Sequence, residues 1–134
     1  MSKIISLSEA ASIGIHGVVL IAQSESLMNV QHIADATGSS RHHVAKIMQR
    51  LVKDGYLTSS RGPSGGFSLK KPASEINLLQ IYESIEGKVE KPECPVGNTI
   101  CPFDKCLMGG VVTTLTNDFG NYLQSQTIDK FLKK

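Results

Sequence analysis

Residues 30 to 55 read VQHIADATGSSRHHVAKIMQRLVKDG, two stretches of helical apolar spacing parted by one glycine and two serines. In the first stretch Val30, Ile33 and Ala34 share a face; in the second Val44, Ile47, Met48 and Leu51 fall at i, i+3, i+4 and i+7. Gly38 supplies the turn between them, and Ser39 or Ser40 an N-cap. So short a joint makes the two helices cross and bury their apolar faces in one core. DGYLTSSRGPSGGFSLKK then predicts two short strands, Tyr56 to Ser60 and Gly66 to Leu69, around a turn rich in Gly and Pro. Short helix, tight turn, longer helix and hairpin, in that order, predict a winged helix-turn-helix.

The flanks are helical as well. Leu7, Ala10, Ala11, Gly14, Ile15, Val18, Val19 and Ala22 keep helical spacing, and Ser6 with Glu9 reads as a capping box at the start. SEINLLQIYESIEG predicts a fourth helix capped by Asn77 and stopped by Gly87. From Leu107 to about Gln124, Val111, Val112, Leu115, Phe119, Tyr122 and Leu123 make a wide apolar stripe, expected to pack on a second copy of the chain and build a homodimer. A short terminal helix capped by Thr127 follows. The fold class is mainly α with a small β-hairpin wing, and the expected division is 1–87 winged helix-turn-helix DNA-binding domain, 88–106 cysteine loop, and 107–134 dimerisation helix and tail.

A length of 134 residues fits one domain, and 40% hydrophobic with 19% charged residues suits a folded core. The longest apolar run, Ile13 to Ala22, is broken by Gly14, His16 and Gly17 and is too short to span a bilayer. Met1-Ser2-Lys3 leads straight into a helical pattern rather than a signal sequence, so a cytoplasmic location without membrane contact is expected. The formal net charge of +2 conceals an asymmetry. Residues 28 to 71 carry seven Lys and Arg against Asp35 and Asp54, whereas residues 72 to 134 carry six basic against eight acidic side chains. A polyanion partner belongs on the basic segment.

A helix lying in the major groove needs small, polar or cationic side chains on its outer face. SSRHHVAKIMQR provides them: Ser40, Arg41, His42, His43 and Lys46 in the first turns as base-reading candidates, with Arg50 and Lys53 further along and suited to the DNA backbone. Arg61 opens the wing turn, where a guanidinium can enter the narrow minor groove of a double-stranded operator. His42 and His43 are adjacent and project about 100° apart on a helix, which argues against joint chelation.

All three cysteines lie within thirteen positions, Cys94, Cys101 and Cys106, spaced C-x6-C-x4-C, with Pro95 and Pro102 directly after the first two. An odd number fits poorly with a disulfide framework. A loop without regular structure lets thiolates converge on one inorganic centre, with one coordination position left over. An iron–sulfur cluster, a zinc site and a thiol switch all remain open, although zinc sites generally show paired C-x2-C or C-x2-H ligands that this sequence lacks.

Taken together, the first helix, IADATGSSRHHVAKIMQRLVKDGYL, the wing SSRGPSGGFSL, the cysteine loop and the long last helix resemble the IscR/NsrR-type winged-helix regulators, which sense iron–sulfur status, nitric oxide or redox state. The resemblance implies a dimeric DNA-binding repressor or activator whose iron–sulfur cluster, of the 2Fe-2S or 4Fe-4S type, is bound by Cys94, Cys101 and Cys106 and controls the helix-turn-helix. Some members carry a histidine ligand three residues after the last cysteine, where this chain has Gly109. Others use an acidic residue near position 8 from the first helix of the partner subunit, which makes Glu9 the candidate fourth ligand here; Asp104 and His16 are weaker ones. The cysteine spacing is also less even than is common in the family.

Enzymatic activity is not expected. No Ser or Cys nucleophile sits beside a plausible base, GPSGG belongs to a hairpin rather than a phosphate loop, and no small-molecule substrate is implied. The competing function is a winged-helix thiol or zinc switch that acts through protein–protein contacts.

Overall fold

The computed structural model describes residues 7–89, 102–105 and 107–132. Helices α1 (Glu9–Gln23), α2 (Val30–Thr37) and α3 (Arg41–Lys53) precede a hairpin of β1 (Leu57–Ser60) and β2 (Gly66–Leu69), followed by α4 (Leu78–Glu86) and α5 (Val111–Ser125). Single 3-10 turns lie at Ala73–Glu75 and Ile128–Phe131. The protein is therefore mainly helical with a two-stranded antiparallel wing, as the sequence pattern predicts.

Local chemistry sets most of the boundaries. Asn29 caps α2 by accepting from His32 N–H, and Gly38, at φ 69°, ends it in the left-handed conformation. Ser40 caps α3 through His43 N–H, and Asn77 with Gln80 forms a reciprocal capping box on α4. Two expectations shift. Helix α1 begins at Glu9 with Ser8 as N-cap, its side chain accepting from Ala11 N–H, so Glu9 lies in the first turn rather than closing a box with Ser6; Ser6 itself lies outside the described residues. Helix α5 starts at Val111 rather than Leu107, because Gly109 and Gly110 both take left-handed φ values, 62° and 74°, that no continuing helix contains.

One core joins these elements. Ile33, Val44, Met48 and Leu51 of the helix-turn-helix meet Val18 and Ile21 of α1, Leu57 and Phe67 of the wing, and Ile81 and Tyr82 of α4. The hairpin runs in register from Leu57 opposite Leu69 to Ser60 opposite Gly66. It is also fastened from outside, because Phe67 and Met28 exchange both backbone hydrogen bonds, at 2.7 and 3.4 Å. Gly65 permits the turn: a Cβ there would lie 2.2 Å from the Ser60 carbonyl oxygen.

The apolar stripe of α5 divides. Val112, Thr116 and Leu123 are buried within the chain's own fold, and Phe119 meets Tyr82 edge to face with ring centroids 5.2 Å apart. Beyond α5 the chain returns to the start of α4, with Leu78 N–H on the Gln126 carbonyl at 2.9 Å and Ile128 N–H on the Ile76 carbonyl at 2.8 Å. The helix expected to pack on a partner is thus anchored at home along one side. Its other side, with Val111, Leu115 and Tyr122, is about half exposed at 45%, 49% and 57%.

Candidate nucleic-acid interface

Burial of Val44, Ile47, Met48 and Leu51 fixes which face of α3 points out. Two ridges result. His42, Lys46 and Arg50, four residues apart and all exposed, form one ridge, and exposed Lys53 continues the cationic surface at the helix end. Arg41 and Gln49 form the second and line a crevice of about 410 Å³ whose opposite wall is Ser59, Ser60, Arg61, Gly62 and Pro63 of the wing. Arg41 and Arg61, 20 positions apart in sequence, are brought to the same opening. Ser40 stands exposed at the head of α3; its oxygen accepts from His43 N–H at 3.1 Å, so the hydroxyl proton stays available to an acceptor outside the protein.

His43 is placed differently from its neighbour His42. It is half-buried, and its Nδ1 lies 3.8 Å from Glu9 Oε1 across the α1–α3 junction, with side chains 35% and 70% exposed. At that separation and exposure the contact contributes little to stability. Asn29 and Gln31 at the start of α2 also line the crevice, and Gln31 Nε2 donates to Asp35 at 2.8 Å. Nothing in the sequence marks these two residues for the interface; Asn29 serves in the structure as the cap of α2, and Gln31 is one polar residue on an amphipathic helix.

The cysteine candidates Cys94, Cys101 and Cys106 lie outside the described residues. Of the fourth-ligand candidates, Glu9 has the exposed carboxylate noted above, Asp104 is exposed, and His16 holds its Nδ1 2.7 Å from the Ser12 carbonyl, which leaves Nε2 as its outward nitrogen. Glu9 and His16 line a second cavity, of about 670 Å³, with Ile15, Val19 and Phe131. Among the described residues, no three His, Cys, Asp or Glu side chains are grouped so as to hold a metal ion.

Where α3 ends, Arg50 Nε donates to Asp54 Oδ2 at 3.3 Å, and Ser84 Oγ on α4 donates to the same oxygen. Burial, then the Asp54 and Glu83 carboxylates, raise the Tyr56 hydroxyl above its ordinary pKa of 10.0. The Lys71 ammonium stands 5.4 Å from the centre of that ring.

Residues 7–134 match the family model described as "Rrf2: Iron-dependent Transcriptional regulator". The chain belongs to the Rrf2 family. Its relatives include Protein aau3 of Rhizobium meliloti, 35% identical over 114 residues, covering 84% of this chain and 74% of that protein. The HTH-type transcriptional regulator NsrR of Oceanobacillus iheyensis is 28% identical over 115 residues, covering 84% and 78%. In fold it matches the structure of CymR, the global cysteine regulator of B. subtilis, with a TM-score of 0.77 at 19% identity over 93% of this chain and 94% of that one. The T. potens IscR structure gives 0.72 at 20% identity over 93% and 84%. This Rrf2-family chain is a winged-helix DNA-binding regulator of the IscR/NsrR type, and not an enzyme. No helix among the described residues is long and apolar enough to cross a membrane.

Proposed function

We propose that this chain is a homodimeric, cytoplasmic transcriptional regulator whose operator affinity is set by an iron–sulfur cluster on Cys94, Cys101 and Cys106, divided at about residues 87 and 106 into a DNA-binding domain, a cysteine loop and a dimerisation region. The observation that carries the DNA half is the shared crevice of Arg41 and Arg61, where a recognition helix and a wing present cations to one opening. Ser40, Arg41, His42 and Lys46 read base edges, Arg50 takes a phosphate, and Arg61 enters the minor groove. His43 serves at the edge of this surface, held toward Glu9.

The donor set suits a cluster: three cysteines within thirteen positions, with Glu9 carrying an exposed carboxylate whose contact with His43, at 3.8 Å, is loose enough to exchange for a partner subunit's cluster. A bound cluster supplies a centre that reacts with oxidants or nitric oxide. Dimerisation is supported by the half-exposed Val111, Leu115 and Tyr122 on one side of α5, an apolar surface on an otherwise anchored helix. Two copies facing each other present two recognition helices to successive major grooves.

The test is to purify the full chain without oxygen, record its ultraviolet-visible spectrum with iron and acid-labile sulfide assays, and measure affinity for a duplex selected from a random pool before and after cluster loss. Broad visible absorption with sulfide matching iron, and a tenfold or larger affinity change, is the expected result. Equal affinity in both states defeats the sensing role, and a colourless protein that cannot be reconstituted leaves a thiol or zinc switch. The Glu9→Ala variant then asks whether cluster lifetime depends on that carboxylate.

A further inference from the structure

Asp54 stands where elementary electrostatics disfavours a carboxylate. It is the C-cap of α3, at the negative end of that helix's dipole, and it follows Arg50 by four residues, the weaker order for an i,i+4 pair. It also places a negative charge one turn from a ridge that meets a polyanion. Two donors converge on it from different elements: Arg50 Nε at 3.3 Å from within α3, and the hydroxyl of Ser84 from α4, thirty positions away and only 8% exposed.

We propose that Asp54 is a positioning residue for DNA binding, holding the Arg50 guanidinium toward the duplex backbone and making that orientation depend on α4 through Ser84. This rests on the reading above in which Arg50 takes a phosphate. An unattached arginine side chain spreads over many rotamers; fixing Nε on Asp54 leaves both terminal nitrogens pointing onward, the fork that phosphate oxygens accept. Ser84, nearly buried on α4, then ties Asp54 to that helix through its hydroxyl. Its neighbour Glu83 accepts from Val89 N–H at 2.9 Å, at the end of the described chain before the cysteine segment. The last turn of α4 therefore grips both the exit toward the cysteines and the carboxylate that aims Arg50. A displacement of that turn reaches the DNA face through two hydrogen bonds.

The experiment is a double-mutant cycle on the full chain, reading affinity for the selected duplex over a salt series with thermal melts alongside. Arg50→Ala is expected to weaken binding about tenfold and to reduce the salt slope by about 0.9 per protomer, as for one lost phosphate contact. Asp54→Ala is expected to weaken binding about three- to tenfold in the wild-type background and to have no further effect once Arg50 is gone. Ser84→Ala should repeat the Asp54 result, and Ser84→Thr, which keeps the hydroxyl, should restore binding. Should Asp54→Ala unfold the chain, Asp54→Asn replaces it in the cycle. An equal loss from the Asp54 variant in both backgrounds makes its role purely structural and overturns the proposal, as does tighter binding. Unchanged binding in Ser84→Ala removes the link to α4. If Arg50→Ala changes neither affinity nor slope, the phosphate assignment itself fails, a result separate from additivity in the cycle.

Discussion

The helix-turn-helix and α5 use their apolar residues in opposite ways. In α3 the residues at i, i+3, i+4 and i+7 are all consumed inside the chain, and every exposed position is polar or cationic. In α5 the apolar residues outnumber what one core can take; Val112, Phe119 and Leu123 turn inward while Val111, Leu115 and Tyr122 are left facing out. A helix whose apolar set is spent reads a polar ligand, and a helix with apolar residues to spare invites an apolar one. The contrast supports the proposal of nucleic acid on the first surface and a second copy on the other.

Truncating each helix separates the two roles. Leu51→Ala, at a fully buried position of α3, should cost about 2–5 kcal/mol of stability through lost burial and the cavity left behind, read by thermal and denaturant unfolding. A loss below 1 kcal/mol there would mean that the helix-turn-helix core is not packed as described. Leu115→Glu on α5 should leave the fold of each protomer intact yet weaken self-association by about 2 kcal/mol or more, seen by sedimentation as a shift toward monomer. If Leu115→Glu unfolds the protein and leaves association unchanged, the contrast between the two helices collapses.

The sequence made the same contrast only half visible. Spacing alone located α2, α3 and the wing, because turn residues such as Gly38 and caps such as Ser40 act locally and are written at the positions they control. The split of α5 depends on long-range contacts such as that of Phe119 with Tyr82, and contacts at such distance leave no period in the stripe itself. The cap of α1 moved from Ser6 to Ser8 for a related reason: Ser8 also donates to Glu86 of α4, a partner 78 positions away. At the interface, Arg41 and Arg61 were nameable from charge and position, whereas the crevice they share, the turn of His43 toward Glu9 and the Asp54–Ser84 link each need two elements docked.

A smaller effect bears on whether the wing reads sequence or only charge. Arg61→Ala should cost about 1–3 kcal/mol of affinity and relax preference at an A·T-rich flank, measured by competition between duplexes that differ only there. Arg61 is exposed and lines the crevice rather than the core, so its loss should leave unfolding unchanged. A uniform loss across all duplexes, with a reduced salt slope, would place Arg61 on phosphate and give base reading to α3 alone.

The smallest expected effect lies at the junction that joins the helix-turn-helix to α4. Tyr56 is raised above 10.0 by burial first and by the Asp54 and Glu83 carboxylates next, so the folded protein holds this proton more tightly than the unfolded chain. Below pH 10.0 both states keep the hydroxyl neutral and its contribution is fully present. As pH rises past 10.0 the unfolded chain releases the proton first, binds fewer protons than the fold, and stability falls until the folded group ionises as well. Tyr56→Phe cannot ionise, so its denaturant stability should fall less steeply above pH 10.0 than that of the wild type, by a small margin because the ring is only half-buried. Parallel curves would show that neither burial nor the two carboxylates raise this hydroxyl, and that Tyr56 is not held at the junction of α3, the wing and α4 as described.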